Sequence, residues 1–209
     1  MTPVYKLSAN SVKNGRTVYG SMLAGNPVFE IPGDFKSIAT TTVGSGGTSE
    51  IIFNSIPSGF THLQIRGIAR TARTTFANDG LKLQFNSDTN TNYSRHQLSG
   101  DASGGKDLGG AADADYMFSQ VAGNGASANV FGPCVIDILD YANTNKYKTV
   151  RFFTGVDNNS SANQQSGYVS MSSGSWRNTN AITSLRLFGF SGNLLQYTSL
   201  ALYGIKVAS

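Results

Sequence analysis

Apolar and polar residues alternate with a period of two along several stretches of the chain, the pattern of strands with one buried face. Leu63 and Ile65 alternate with polar neighbours in one stretch, and Val169 and Met171 alternate with serines in another. Similar strand-forming segments are 49–53, 81–86, 136–139, 150–154, 184–188 and 200–205. No window combines helical apolar spacing with caps at both ends. The pattern predicts an all-β protein whose strands each have one polar face.

Turn-forming residues separate these segments. Glycine, proline, asparagine and aspartate cluster at 44–47, 57–59, 78–80, 157–163 and 192–193. Such clusters supply the backbone conformations that tight turns need. About eight strands separated by turns predict an antiparallel two-sheet sandwich over residues 35–209, of the jelly-roll or lectin-like type. A closed barrel is the alternative.

Residues 99–130 break the alternation, because they are rich in glycine and alanine. A loop of this length in a compact domain is usually functional or contacts a partner. A short helix around residues 113–120 is a second expectation for this segment.

Residues 1–34 hold three of the five prolines and few strand signals. We expect an extended N-terminal arm, 1–34, in front of the sandwich domain, 35–209. Its apolar residues favour docking on a neighbouring subunit, because a free arm has no need of them. The expected anchoring residues are Val4, Tyr5, Leu7, Val18, Tyr19 and Phe29.

Composition excludes several classes of protein. Hydrophobic residues make up 39% of the chain and charged residues only 13%, a balance unlike that of a disordered chain or a coiled coil. No apolar run is long enough for a membrane-spanning helix, so no membrane insertion is expected. The net charge of +4 comes from scattered residues, which does not favour nucleic-acid binding.

The residues that carry most enzyme chemistry are few. His62 and His96 lie near no nucleophile motif, and with the single cysteine, Cys134, they do not make a zinc ligand set. Cys134 lies in a predicted strand, where a buried, inert thiol is expected. We therefore expect no metal and no cofactor.

Paired carboxylates leave one catalytic alternative open. Asp113 with Asp115, or Asp137 with Asp140, could serve a polysaccharide hydrolase, although capping and solvent-facing roles are favoured. Residues 88–92 imitate the start of a calcium loop, but the sixth and twelfth positions are Tyr93 and Ser99 instead of glycine and glutamate. An Asn-rich turn is the favoured interpretation.

Aromatic residues near loop-rich segments are candidates for sugar contact. Aromatic rings stack on the apolar faces of sugars while nearby amides bind hydroxyls. The candidate glycan-contact residues are Tyr93, Tyr168 and Trp176. The alternative is that these rings complete the sandwich core.

Several short sequence segments, taken in their order along the chain, resemble those of a known group of proteins. The opening phrases are IATTTVGSGG at 38–47, IFNSIP at 52–57 and FTHLQIRGIAR at 60–70. LQFN at 83–86 is followed by TNY at 91–93, and the closing phrases are SWR at 175–177, AITSL at 181–185 and LYGIK at 202–206. Residues 35–209 thereby resemble small β-sandwich virion proteins of tailed bacteriophages.

The resemblance implies a non-enzymatic structural protein of the virion, assembled in the bacterial host cytoplasm, with no catalytic residues to carry over. We expect a surface-exposed tail-fibre or appendage module that is anchored by its arm and contacts host glycans. A capsid decoration (cement) protein is the alternative. The expected partners are capsid, portal, tail or fibre proteins and sister copies in a homotrimer.

Overall fold

The computed structural model of the chain describes residues 35–101, 104–158 and 167–207, and for residues 105–113 it describes the backbone alone. The predicted arm, with Val4, Tyr5, Leu7, Val18, Tyr19 and Phe29, lies outside the described residues. Twelve strands are present: β1 Phe35–Thr42, β2 Glu50–Phe53, β3 His62–Ala69, β4 Asn78–Phe85, β5 Tyr93–Asp101, β6 Gly104–Ala114, β7 Met117–Ala122, β8 Gly132–Leu139, β9 Lys148–Asp157, β10 Gly167–Trp176, β11 Leu185–Gly189 and β12 Ser199–Ile205.

The strands form two antiparallel sheets, as the sequence predicted. The larger has eight strands in the order β1-β12-β3-β8-β9-β10-β5-β6, and the smaller has four in the order β2-β11-β4-β7. The pairs β1 with β12, β2 with β11, β3 with β8 and β4 with β7 fall alternately in the two sheets. This nested pairing is the jelly-roll topology, with two sheets instead of a closed barrel.

Two hairpins are inserted into this jelly roll. Strands β5 and β6 lie between β4 and β7 in sequence, and β9 and β10 lie between β8 and β11. Both hairpins extend the larger sheet beyond β8, where β9, β10, β5 and β6 follow in that order. The inserted hairpins therefore form half of the larger sheet.

The core lies between the two sheets and is built from alternate residues of their strands, as the period-two pattern predicted. Burying each aliphatic side chain contributes about 1.5–3 kcal/mol. The larger sheet contributes Leu63, Ile65, Ile136, Ile138, Leu200 and Leu202, and the smaller contributes Leu81, Leu83, Phe85, Leu185 and Leu187.

The expectations of a long loop over residues 99–130 and of a helix around residues 113–120 are wrong. This segment contains β6 at one edge of the larger sheet and β7 at one edge of the smaller. Glycine and alanine in β6 give no contrast between the two faces of a strand. In β7 the buried positions include Ser119 and the outward positions include Phe118, which obscures the alternation.

Gly67 permits the close approach of β3 and β12, where it pairs with Leu200. A Cβ atom at this position would lie 2.0 Å from the backbone oxygen of Ser199. Backbone atoms of a central strand cannot move aside without disturbing the ladder.

We expect Gly67→Ala to lower the free energy of unfolding by about 3 kcal/mol, because the added methyl group overpacks two paired strands. Urea denaturation of the full chain measures the loss. Gly59→Ala is the matched control, since a Cβ there meets no atom within 4 Å. Equal effects of the two substitutions would contradict this account of Gly67.

Candidate functional site

One strand of the larger sheet, β10, faces the opposite way from the sequence expectation. Val169 and Met171 on β10 point outward, while Ser170 and Ser172 between them are buried. On the neighbouring strand β9, Phe153 also points outward, while Val150 and Phe152 of the same strand are buried. The alternation was predicted correctly, but the face assigned to the core was wrong here.

The outward side chains form one contiguous surface, called here the apolar patch: Leu98, Phe153, Val169 and Met171. Each is 50–61% exposed. Leu98, Met171 and Phe153 are direct cross-strand neighbours on β5, β10 and β9. Val169 lies one row away between Gly100 and Gly155, which have no side chains to cover it. Contiguous exposed apolar surface of this kind marks interaction sites.

A buried polar network lies beneath the apolar patch. The Nε2 group of Gln97 donates hydrogen bonds to Ser170 Oγ at 2.8 Å and to the Tyr168 hydroxyl at 3.2 Å. From the smaller sheet, Ser119 Oγ lies 2.8 Å from Thr154 Oγ1 and 3.3 Å from Ser170 Oγ. These hydrogen bonds satisfy hydroxyl groups that burial would otherwise leave without water.

The orientation of β10 leaves large apolar side chains in contact with water when the chain is alone. Placing Val169 and Met171 in water leaves about 1.5–3 kcal/mol of burial free energy unrealised for each of these side chains, while the same orientation of β10 buries Tyr168 and Trp176. Folding alone does not recover this free energy. Association with another surface recovers it, because the apolar patch then becomes buried.

A polar row borders the apolar patch along one side. His96, Ser173 and Arg151 are successive cross-strand neighbours, and Arg151 Nη2 lies 2.7 Å from Asp137 Oδ2. A shallow depression of about 310 Å³ between this row and the apolar patch is lined by residues that include Leu98 and Arg151. An apolar centre with a polar rim is the usual arrangement of protein interfaces.

The residues proposed for sugar contact are buried. Tyr93 and Trp176 stack at 6.3 Å between ring centroids, and Phe85 packs edge-on against Trp176 at 5.5 Å. Tyr168 is also buried, with its hydroxyl group in the polar network. The assignment of Tyr93, Tyr168 and Trp176 as glycan contacts is corrected, because each of these side chains is at most 9% exposed. They belong to the interior, as the alternative stated.

Asp88 joins this aromatic cluster to the Asn-rich turn. Its Oδ2 accepts hydrogen bonds from Trp176 Nε1 at 2.7 Å and from Asn92 Nδ2 at 2.8 Å, and its Oδ1 accepts from Asn90. Burial by itself would raise the pKa of Asp88, but these donors together lower it. The carboxylate is thus a structural acceptor that fixes the turn, as the Asn-rich interpretation expected.

The other carboxylates considered for catalysis are held in ion pairs. Burial opposes ionisation of Asp137, but hydrogen bonds from Gln64 and Arg151 outweigh it and lower the pKa. Lys146 lies 2.5 Å from Asp140 and is the largest cause of the lowered pKa of that carboxyl. A glycosidase acid needs a raised pKa, so the shifts run against this role. Asp113 lies where side chains are not described, and Asp115 is exposed.

The histidines and the cysteine lie on different strands. Nδ1 of His62 on β3 accepts a hydrogen bond from the backbone N–H of Asp140, while His96 belongs to the polar row on β5. Cys134 is buried in β8, as expected, and burial raises the pKa of its thiol to about 12. Among the described residues, no group of three or more His, Cys, Asp or Glu side chains could hold a metal ion.

The sequence analysis missed the apolar patch because alternation alone does not tell which face of a strand is buried. The signal was present in the pairing of Val169 and Met171 with serines, which is compatible with either facing. Which face of β10 is buried becomes clear only from its pairing with β5 and β9.

Comparison with known proteins leaves the chain without a match. No family model, curated protein or solved structure matches it. In the described part of the chain, no helix is long and apolar enough to cross a membrane.

Because the pKa of Asp88 is lower folded than unfolded, its stabilisation is complete above the unfolded value of about 3.9 and is lost as pH falls through the folded value. We expect Asp88→Asn to cost about 1–2 kcal/mol at pH 7, since the amide presents one acceptor to several donors. The difference should shrink below about pH 4. Urea denaturation from pH 7 to pH 3 measures it, and a constant difference would contradict the role of the charge.

Proposed function

We propose that the chain is a non-enzymatic structural protein of a bacteriophage particle, a surface-exposed tail-fibre or appendage module anchored by its N-terminal arm, residues 1–34. The observation that carries this proposal is the apolar patch on the inserted hairpins of a jelly roll. Such a surface is useful to a protein that acts by packing against neighbours. Jelly rolls are a common architecture of viral capsid proteins and lectins.

The neighbour that we propose for the apolar patch is a sister subunit. Homo-oligomers usually have closed symmetry, so one surface is used in every copy. In a homotrimer, three apolar patches can meet around the axis, with Arg151 of the polar row and its ion-pair partner Asp137 at the rim. The sequence resemblance to phage virion proteins supports the same assembly.

Capsid decoration is the second candidate, and the exposed apolar patch is equally compatible with it. In that case the apolar patch would bind the capsid shell or join decoration subunits on it. The number of copies in each particle separates the two candidates.

The lowered pKa values of Asp137 and Asp140 support a role without catalysis, because neither carboxyl is prepared to donate a proton near neutral pH. Contact with host glycans remains part of the proposal. It needs a surface other than the buried rings of Tyr93, Tyr168 and Trp176.

We expect the full chain to sediment as a trimer and the double variant Phe153→Ser/Met171→Ser to sediment as a monomer. The two substitutions remove the centre of the apolar patch, but they change side chains that are exposed in a single chain, so folding stability should change little. Analytical ultracentrifugation measures the assembly, and thermal unfolding checks the fold.

Ile52→Ser is the matched control, because Ile52 is 43% exposed on the smaller sheet, outside the apolar patch. This variant should remain a trimer. A wild-type chain that is monomeric at every concentration, or a double variant that stays trimeric, would overturn the assignment of the apolar patch to a sister subunit.

We expect a few to a few dozen copies in each particle, the stoichiometry of an appendage at the tail or at a vertex. Quantitative mass spectrometry of purified virions, with the major capsid protein as reference, gives the number. Hundreds of copies would instead establish capsid decoration, and absence from virions would refute both.

A further inference from the structure

The outer face of the smaller sheet carries a group of rings and cations that the sequence analysis did not identify. We call it the aromatic–cation cluster: Lys82, Arg95, Tyr116, Phe118, Phe188 and Phe190. Tyr116, Phe118 and Phe190 contact one another with ring centroids 5.9–6.3 Å apart. The guanidinium of Arg95 lies 4.7 Å from the centroid of Phe118 and 5.0 Å from that of Tyr116.

Strand register brings these residues together from distant parts of the chain. Phe188 of β11, Lys82 of β4 and Phe118 of β7 are successive cross-strand neighbours. Gly80 leaves room for the rings beside them, since a Cβ there would lie 3.0 Å from Phe190 and 3.1 Å from Phe118. The arrangement is therefore built into the sheet.

Lys82 lies at the centre of the cluster. Its ammonium is 4.3 Å from the ring centroid of Tyr116, 4.4 Å from that of Phe190 and 5.3 Å from that of Phe188. Within residues 35–101, 104–158 and 167–207, it has neither a hydrogen bond nor an ion pair. The ammonium group is thus held over aromatic rings with no hydrogen-bond acceptor from the described part of the chain.

Unlike Lys82, the neighbouring arginines have hydrogen-bond partners. Arg186 binds Glu50 at 2.5 Å and Gln84 at 2.9 Å, and Arg95 donates to the backbone oxygen of Tyr116 at 3.2 Å. Burial lowers the pKa of Lys82, with Asp115 and Asp79 opposing this shift. The Lys82 ammonium has lost part of its hydration and has gained cation–π contacts of about 0.5–1 kcal/mol each in return.

We propose that the aromatic–cation cluster binds an acidic saccharide. The anionic substituent of the sugar pairs with Lys82, and the apolar face of the sugar ring packs on Phe190, which is 47% exposed. Gln120, opposite Gly80 in the register and on the same face as Phe118, supplies an amide for sugar hydroxyls. Aromatic, amide and cationic groups together match the three kinds of surface on such a sugar.

The charge at this surface favours an acidic saccharide over a nucleic acid. Nucleic-acid binding depends on several cations, each of which neutralises a phosphate. Beside the aromatic–cation cluster, Arg186 is already paired with Glu50, and within the cluster Arg95 donates to a backbone oxygen, while Lys82 has no hydrogen bond or ion pair in the described part. One anionic group beside a flat apolar ring is the better match.

This inference rests on the proposed function only in taking host-surface polysaccharides as the source of the sugar. The chemistry of the site stands independently of assembly. Saccharide binding can therefore be absent in a protein that forms the trimer and belongs to the virion. Equally, a protein that does neither can still bind the saccharide.

The test uses the full chain on an array of galacturonate, glucuronate and N-acetylneuraminate oligosaccharides, each beside its carboxyl-reduced form. We expect at least one acidic member to bind about tenfold more tightly than its reduced form, a difference of about 1.4 kcal/mol. Lys82→Met should abolish this preference, because methionine keeps the apolar stem and removes the charge. Phe190→Ala should weaken binding of both forms.

Lys206→Met is the matched control, since it removes the same charge from a residue beyond β12 on the larger sheet and should keep the preference. Thermal unfolding of each variant checks the fold, and Lys82→Gln replaces Lys82→Met if the latter unfolds. An array without preference for any acidic member, or a preference that survives at both Lys82 variants, overturns the proposal. Equal capture of poly-glutamate in a charge-matched assay would also overturn it, by showing attraction to any polyanion.

Discussion

The hydroxyl and amide network beneath β10, together with the burial of Trp176 on the same face of that strand, determines which side of the inserted hairpins faces the solvent. Strand side chains alternate strictly, so fixing Ser170 inward necessarily fixes Val169 and Met171 outward. The network achieves this because Ser119, on the opposite sheet, presents its hydroxyl group to both Thr154 and Ser170. A slip of β10 by one residue would turn Ser170 toward the solvent and take this partner away from the buried Gln97 and Ser119, at about 1–3 kcal/mol for each group left unsatisfied.

The jelly roll therefore divides into two regions with different tasks. Strands β3, β8, β12, β4 and β11 bury aliphatic side chains between the sheets and stabilise the fold. The inserted hairpins contribute apolar burial along β9, through Val150 and Phe152, and at one end, where Trp176 and Tyr93 stack beside the turn that Asp88 holds. At their other end the interior is polar and the apolar surface is outside. The hairpins thus present a surface for association and also contribute Val150 and Phe152 of β9 to the core.

The sequence was sufficient for the fold class because residues such as Leu63, Ile65, Leu81 and Leu83 alternate with polar neighbours and lie in the core. It was insufficient for β6, whose glycines and alanines leave both faces alike. It was also insufficient for β10, because serine and valine in alternation are compatible with either orientation. The aromatic–cation cluster could not be foreseen, since Lys82 and Phe190 meet only through the pairing of β4 with β11.

The scarcity of charge affects how either surface can recognise a partner. With 16 basic and 12 acidic residues, the chain has a weak long-range field, so electrostatic steering contributes little to encounter rates. Recognition must then come from contact, through burial at the apolar patch and through the desolvated ammonium of Lys82 at the aromatic–cation cluster. Contact-range interactions are screened less by salt than those between distant exposed charges. The two surfaces lie on opposite sheets, so packing of the larger sheet against sister subunits would leave the smaller sheet facing outward.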